Sequence, residues 1–145
     1  MSFLLDTNVI SESARPAPDP GVMAWLAALD EDQAFISVIS LAELRHGIER
    51  LPASARRDRL ADWLRDALPA RFGARVVPVD AEIADAWGVV VARSQAVGRP
   101  IGVMDAFIAA TAARRRLTLV TRNTADFEAT GLPLFNPWLG GGPAA

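Results

Sequence analysis

Apolar positions in this chain fall into two kinds of run. Short continuous ones, at residues 2–5, 34–38 ("AFISV"), 74–79 ("ARVVPV"), 117–121 ("LTLVT") and 132–136 ("LPLFN"), read as strands buried on both faces. Between them the apolar period lengthens to that of helices. Leu41, Leu44, Ile48 and Leu51 form one stripe, predicting a helix from about Leu41 to Leu51. Leu60, Trp63, Leu64 and Leu68 form another, within a helix over about 55–71. Asp19 and Pro20 read as cap and first-turn residues of a helix reaching Leu29, and Asp80 as the cap of one reaching Val97. Residues 7–13 predict a short helix stopped by "ARPAPDPG". Residues 103–113, "VMDAFIAATAA", are apolar nearly all round and read as a buried helix with Asp105 in its first turn. "GRPIG", 98–102, is a loop, and a short helix starts at Asn123.

Strands alternating with helices predict a three-layer α/β/α architecture with a short, mostly parallel central sheet. At 145 residues the chain fits one domain, taken here as 1–138, followed by a disordered tail over 139–145 ("GGGPAA" at its end).

Composition narrows the chemistry. The chain has no cysteine and no lysine: all 15 basic residues are arginine, and His46 is the single histidine. Thiolate chemistry, Schiff bases, phosphate-cradling lysines and multi-histidine zinc sites are thereby excluded. Carboxylates remain, and they suit hard cations such as Mg²⁺ and Mn²⁺. No apolar run approaches the roughly 18 residues of a membrane span. With no secretory signal pattern either, the expected location is cytoplasmic.

In a parallel sheet, ligands bind along the edge where the strands end. Four acids fall at or just beyond such junctions. Asp6 follows "FLL", Glu43 lies in "SLAEL", Asp105 opens the buried helix, and Asp126 lies in "TRNTADFE". Each has a local explanation as well. Asp6 can cap the first helix, Ser40-x-x-Glu43 matches a capping box, and Asn123-x-x-Asp126 is a similar arrangement. Asp105 is hardest to explain locally, because an unpaired charge on so apolar a helix is costly.

If the four converge, the site must be neutralised. Two carboxylates about 5 Å apart repel by roughly 3 kcal/mol at an effective dielectric near 20. A divalent ion relieves this, and such an ion can also activate water and stabilise the oxygens of a phosphodiester. With 15 basic against 17 acidic residues the net charge is −2; setting the four acids aside leaves +2, a surround compatible with RNA. The arginine clusters at 56, 57 and 59 and at 114–116 read as solvated helix faces, as does His46, and the tryptophans at 25, 63, 87 and 138 as core or interface anchors.

The blocks "LLDTNVISE", "SLAELRHGI", "GRPIGVMDAFIAATA" and "LTLVTRNTADFEATGLPLFNPW", in that order from Phe3 to Trp138, closely resemble the motifs of PIN-domain ribonucleases, especially VapC-type toxins of toxin–antitoxin systems. The resemblance implies a PIN-like fold and a catalytic, metal-binding set at Asp6, Glu43, Asp105 and Asp126. It adds Asn8, Thr121 and Asn123 as groups that position substrate or water. It implies Mg²⁺- or Mn²⁺-dependent RNA cleavage, a homodimer, and inhibition by a small DNA-binding antitoxin. Gly102 departs from the pattern, standing where relatives often carry proline.

Two rivals stand against this reading. Phosphatase and receiver domains also place an Asp after a strand. The receiver pocket, however, needs a lysine, and haloacid-type phosphatases need a second Asp where Asn8 stands. The other rival is a non-catalytic module that binds nucleic acid or protein on the same fold, with the acids acting only as caps.

Overall fold

The computed structural model describes residues 1–140. The strands are β1 (Phe3–Leu5), β2 (Ala34–Ser37), β3 (Val76–Val77), β4 (Thr118–Val120) and β5 (Leu134–Phe135). They form one sheet in the order β3-β2-β1-β4-β5, and every pairing is parallel. The sheet is thus parallel throughout rather than mostly so. The third strand, expected over 74–79, shrinks to two residues because Gly73–Arg75 form a 3₁₀ turn and Pro78 follows.

Alternate residues of each strand serve the two faces. Phe3, Leu5, Ile36, Val120 and Phe135 pack with the helices of the first half: α1 (Thr7–Glu12), α2 (Pro20–Ala28), α3 (Val38–Glu49), α4 (Ala55–Asp62) and α5 (Leu68–Phe72). Leu4 and Leu119 pack on the opposite face, with α7 (Val103–Arg115) and Phe127 of α8 (Thr124–Phe127). Behind α7 lies α6 (Ala81–Ala96). Burial on both faces explains why the strand sequences are apolar without alternation.

Two helices differ from the sequence reading. First, α3 begins at Val38, because Ser37 caps it by accepting from the Ile39 N–H at 3.0 Å. Ser40 lies a turn inside the helix, fully buried. Second, the helix expected over 55–71 carries a π turn at Trp63–Ala67, closed by Leu68 N–H to Trp63 O. It precedes Pro69, which has no N–H to give to the regular ladder. Asp19 and Asp80 cap their helices as read, accepting from Val22 and Ile83 N–H.

Among the described residues, no helix is long and apolar enough to cross a membrane. Of the tail expected over 139–145, Leu139 and Gly140 are exposed, and 141–145 lie outside the described residues.

Candidate active site

The strand order reverses direction at β1: β2 and β3 extend one way, β4 and β5 the other. At such a switch point the two connecting segments part and leave a crevice at the carboxyl ends of the strands. Asp6 stands at that end of β1, and Thr121 at that end of β4.

Asp6 is 5% exposed. Its Oδ1 accepts from Thr7 N–H at 2.8 Å, which is the helix-capping bond anticipated from sequence. Its Oδ2 accepts from the Thr121 hydroxyl at 2.8 Å, which capping does not require. The buried Thr121 oxygen accepts in turn from Asn8 Nδ2 at 3.3 Å and from Asn123 N–H at 3.1 Å. Asn8 Oδ1 accepts from the Arg122 N–H at 3.2 Å. Asn8 and Thr121 therefore tie the ends of β1 and β4 together around Asp6, with their own polar groups engaged. Asn123 caps nothing with its side chain, so the capping reading of Asn123 and Asp126 does not hold; only backbone bonds join them. The Asn123 and Asp126 side chains are exposed.

The capping-box reading of Glu43 fails as well. Glu43 Oε1 accepts from the Thr7 hydroxyl at 2.7 Å, while Ser37 takes the capping role. The Thr7 hydroxyl also lies 2.9 Å from the buried Ser40 hydroxyl. Thr7 and Ser40 were missed in the sequence. "DTN" reads as a helix start and Ser40 as a cap; only a structure shows α1 crossing α3 here.

Burial pushes Asp105 up to about 6, with the charges of Asp6, Glu43 and Asp126 adding to the effect. Burial also raises Asp6, against the lowering effect of Thr121 and Thr7, and Glu43 and Asp126 raise it further. Asp105 thus feels the charges of the other three sequence-predicted acids, and Asp6 those of Glu43 and Asp126. Among the described residues no arginine figures in the environment that shifts Asp6 or Asp105. Nor, among the described residues, do three or more His, Asp or Glu side chains stand close enough together to hold a metal ion as they are placed. Asp105 and Asp126 instead face a cleft of about 380 Å³ that Arg99 and Ile101 also line. On the other side, Thr7 and Glu43 open onto a groove shared with Arg56. An apolar cavity of about 330 Å³ between α2 and α5 contains none of these acids.

The donor set fits a hard divalent cation. It is all oxygen and like-charged, Asp6 and Asp105 are shifted by no arginine, and hydrogen bonds hold Asp6 and Glu43 in place. Acids outside this set behave differently: Asp62 and Asp66 pair with Arg65, and Asp80 with Arg115, on the surface. His46 is exposed.

The chain is similar in sequence and in fold to known proteins. The PIN domain family model matches residues 3–131. "VapC ribonuclease Y4jK" of Sinorhizobium fredii is 40% identical over 94% of this chain and 97% of its own length. "Toxin FitB" of Neisseria gonorrhoeae is 38% identical over 94% of this chain and 98% of its own. The solved structure "FitAB bound to IR36 DNA fragment" superposes with a TM-score of 0.88 at 35% identity, covering 94% of this chain and 95% of that one.

Proposed function

The chain belongs to the PIN-domain family, and from that premise we propose that it is a divalent-metal-dependent endoribonuclease serving as the toxin of a toxin–antitoxin pair. The observation that carries this reading is the unrelieved carboxylate set at the switch point of the sheet, with Asp105 raised to about 6 by burial and by its acidic neighbours. In this reading Asp6, Glu43, Asp105 and Asp126 hold one or two Mg²⁺ or Mn²⁺ ions. A divalent charge bound there would make a water nucleophilic near neutral pH and stabilise a phosphodiester under attack.

The protein's own groups do the positioning. Thr121 and Asn8 fix the Asp6 carboxylate, and Thr7 fixes Glu43. The exposed Asn123 amide is left to orient a water or a phosphate oxygen. Preorganisation of this kind lowers the cost of assembling charge around the reacting phosphate.

The relatives support the substrate and the partner. The Sinorhizobium protein is named a ribonuclease and the gonococcal one a toxin, and FitAB binds DNA as a complex. Carried to this chain, they point to an RNA phosphodiester as substrate and a small DNA-binding antitoxin as inhibitor. The family resemblance adds a homodimer working in the cytoplasm.

The test is cleavage of single-stranded RNA by the purified chain in Mn²⁺ against EDTA, alongside Asp6→Asn and Asp105→Asn. The expected result is cutting that requires the metal and is abolished in both variants while folding persists. Wild-type rates in either variant would refute the assigned site.

A further inference from the structure

We propose that Arg99 is a substrate-binding residue of this site, gripping a backbone phosphate of the RNA next to Asp105 and Asp126; the inference rests on the ribonuclease reading above. Three of the six arginines that stand out as clusters in the sequence are committed elsewhere. Arg57 pairs with Glu49 at 2.6 Å, Arg114 with Glu82 at 3.3 Å and Arg115 with Asp80. Arg122, beside Thr121, lies over the Trp138 ring at 5.3 Å. Arg99 stands alone in the sequence, yet its side chain shares the cleft onto which Asp105 and Asp126 open.

Its guanidinium is only partly used by the protein. Nη2 donates to Ala125 O at 3.0 Å, and Nη1 lies 3.7 Å from Glu128. That ion pair is long, and both side chains are about half exposed, at 52% and 60%. A pair of this kind contributes little and is readily exchanged. The Ala125 bond fixes one edge of the fork and leaves N–H donors for a phosphate, the geometry in which arginine is superior to lysine.

The backbone under Arg99 is held as well. Arg99 N–H donates to Ser94 O at 2.9 Å, and Ile101 N–H to the Ser94 hydroxyl at 3.2 Å. Ser94 is buried, and Pro100 restricts the chain between these two anchors. A strand of RNA entering an acidic cleft needs a cation fixed on the wall. Arg99 is an arginine that this fold holds there.

The test uses Arg99→Ala and Arg99→Lys in steady-state cleavage of a single-stranded RNA in Mn²⁺ over a series of NaCl concentrations. A Mn²⁺ thermal-shift titration without RNA checks the integrity of the metal site. Arg99→Ala is expected to raise KM about tenfold, the loss of one charge-assisted contact, with kcat near wild type. It should also flatten the slope of log(kcat/KM) against log salt by about 0.7, the loss of one phosphate contact. Arg99→Lys should restore the salt slope and part of KM, and the Mn²⁺ midpoint should stay in place in both. If Arg99 only staples its loop to α8, the salt slope will stay unchanged while kcat and the Mn²⁺ midpoint shift, and the proposal is overturned. A wild-type chain that cuts no RNA removes the ribonuclease reading itself, and this inference with it.

Discussion

Thr121 and Asp6, separated by 115 positions in the chain, share a buried 2.8 Å hydrogen bond that joins the ends of two adjacent strands. The Thr121 hydroxyl gives its single proton to Asp6 and accepts from Asn8 and Asn123, so its hydrogen-bonding capacity is fully used. Thr121→Val removes all three contacts and leaves a buried carboxylate short of a donor. The expected cost is about 1–3 kcal/mol, a fall in Tm of roughly 3–10 °C for a chain of this size. Thr121→Ser keeps the hydroxyl and should recover most of it. Thermal unfolding in EDTA measures both, and an unchanged Tm in Thr121→Val would show that the bond does not hold the site.

Much of this centre was visible as spacing. Acids after "FLL", within "SLAEL", at the start of an apolar helix and after "LTLVT" could be placed at one sheet edge, because parallel strands and right-handed crossovers leave few alternatives. The crossing of α1 over α3 was not visible. Ser40-x-x-Glu43 has a perfectly good local meaning, and nothing along the chain says that Ser37 three residues earlier takes the cap. The helix boundary decides whether Glu43 turns back to its own backbone or out to Thr7, and boundaries depend on tertiary packing. Asn8 and Thr121 could be assigned to the site by resemblance. Their hydrogen bond to each other, and that of Thr121 to Asp6, required coordinates. For Arg99 the local sequence offers only a loop signal, since its significance comes from the cleft wall that this loop builds together with α7 and α8.

The raised carboxyls give the metal-free chain an unusual pH response. Asp105 titrates at about 6 in the folded chain against 3.8 for the ordinary group. The native state therefore holds this proton more tightly than the unfolded state does. The associated stability is complete below about pH 4 and is lost as pH rises through 6. Carboxylates with lowered pKa, such as Asp80 with its Ile83 N–H and Arg115 partners, give the opposite slope. The wild type must therefore be compared with Asp105→Asn. In EDTA at pH 7 the variant is expected to be the more stable by about 1 kcal/mol, or about 3 °C, after allowing for the partial exposure of Asp105. The difference should vanish near pH 4. A wild type as stable as the variant at pH 7 would mean that neither burial nor the neighbouring acids raise Asp105.

A divalent ion should reverse that penalty. A ligand bound to the native state alone stabilises by about 2.7 kcal/mol at a hundredfold excess over Kd. Mn²⁺ at pH 7 is expected to raise the wild-type Tm by several degrees. The rise should shrink as pH falls below 6 and Asp105 takes up its proton. Asp6→Asn and Asp105→Asn should lose most of the rise. Absence of any shift in the wild type would favour the binding-module reading, in which the acids serve only as caps.

Gly102 offers a way to stabilise the entry to α7 without touching the acids. Its backbone sits at φ −66°, ψ 156°, at the N-cap of α7, and these angles are within the range of proline. Its carbonyl accepts from Ala106 N–H at 2.9 Å, a bond that proline preserves. Among the described residues its own N–H makes no backbone hydrogen bond, and a Cβ placed there meets nothing within 4 Å. Proline at this position mainly restricts the unfolded chain, so Gly102→Pro is expected to add about 0.5–1 kcal/mol, or about 2–4 °C in Tm. Because Asp105 lies only three residues further on, the same variant also reports on the helix start. An unchanged Mn²⁺ shift together with the higher Tm would show that the glycine loosens only the approach to the helix. A lower Tm would mean that Ile101, which must be extended before proline, is held in a conformation the substitution cannot accept.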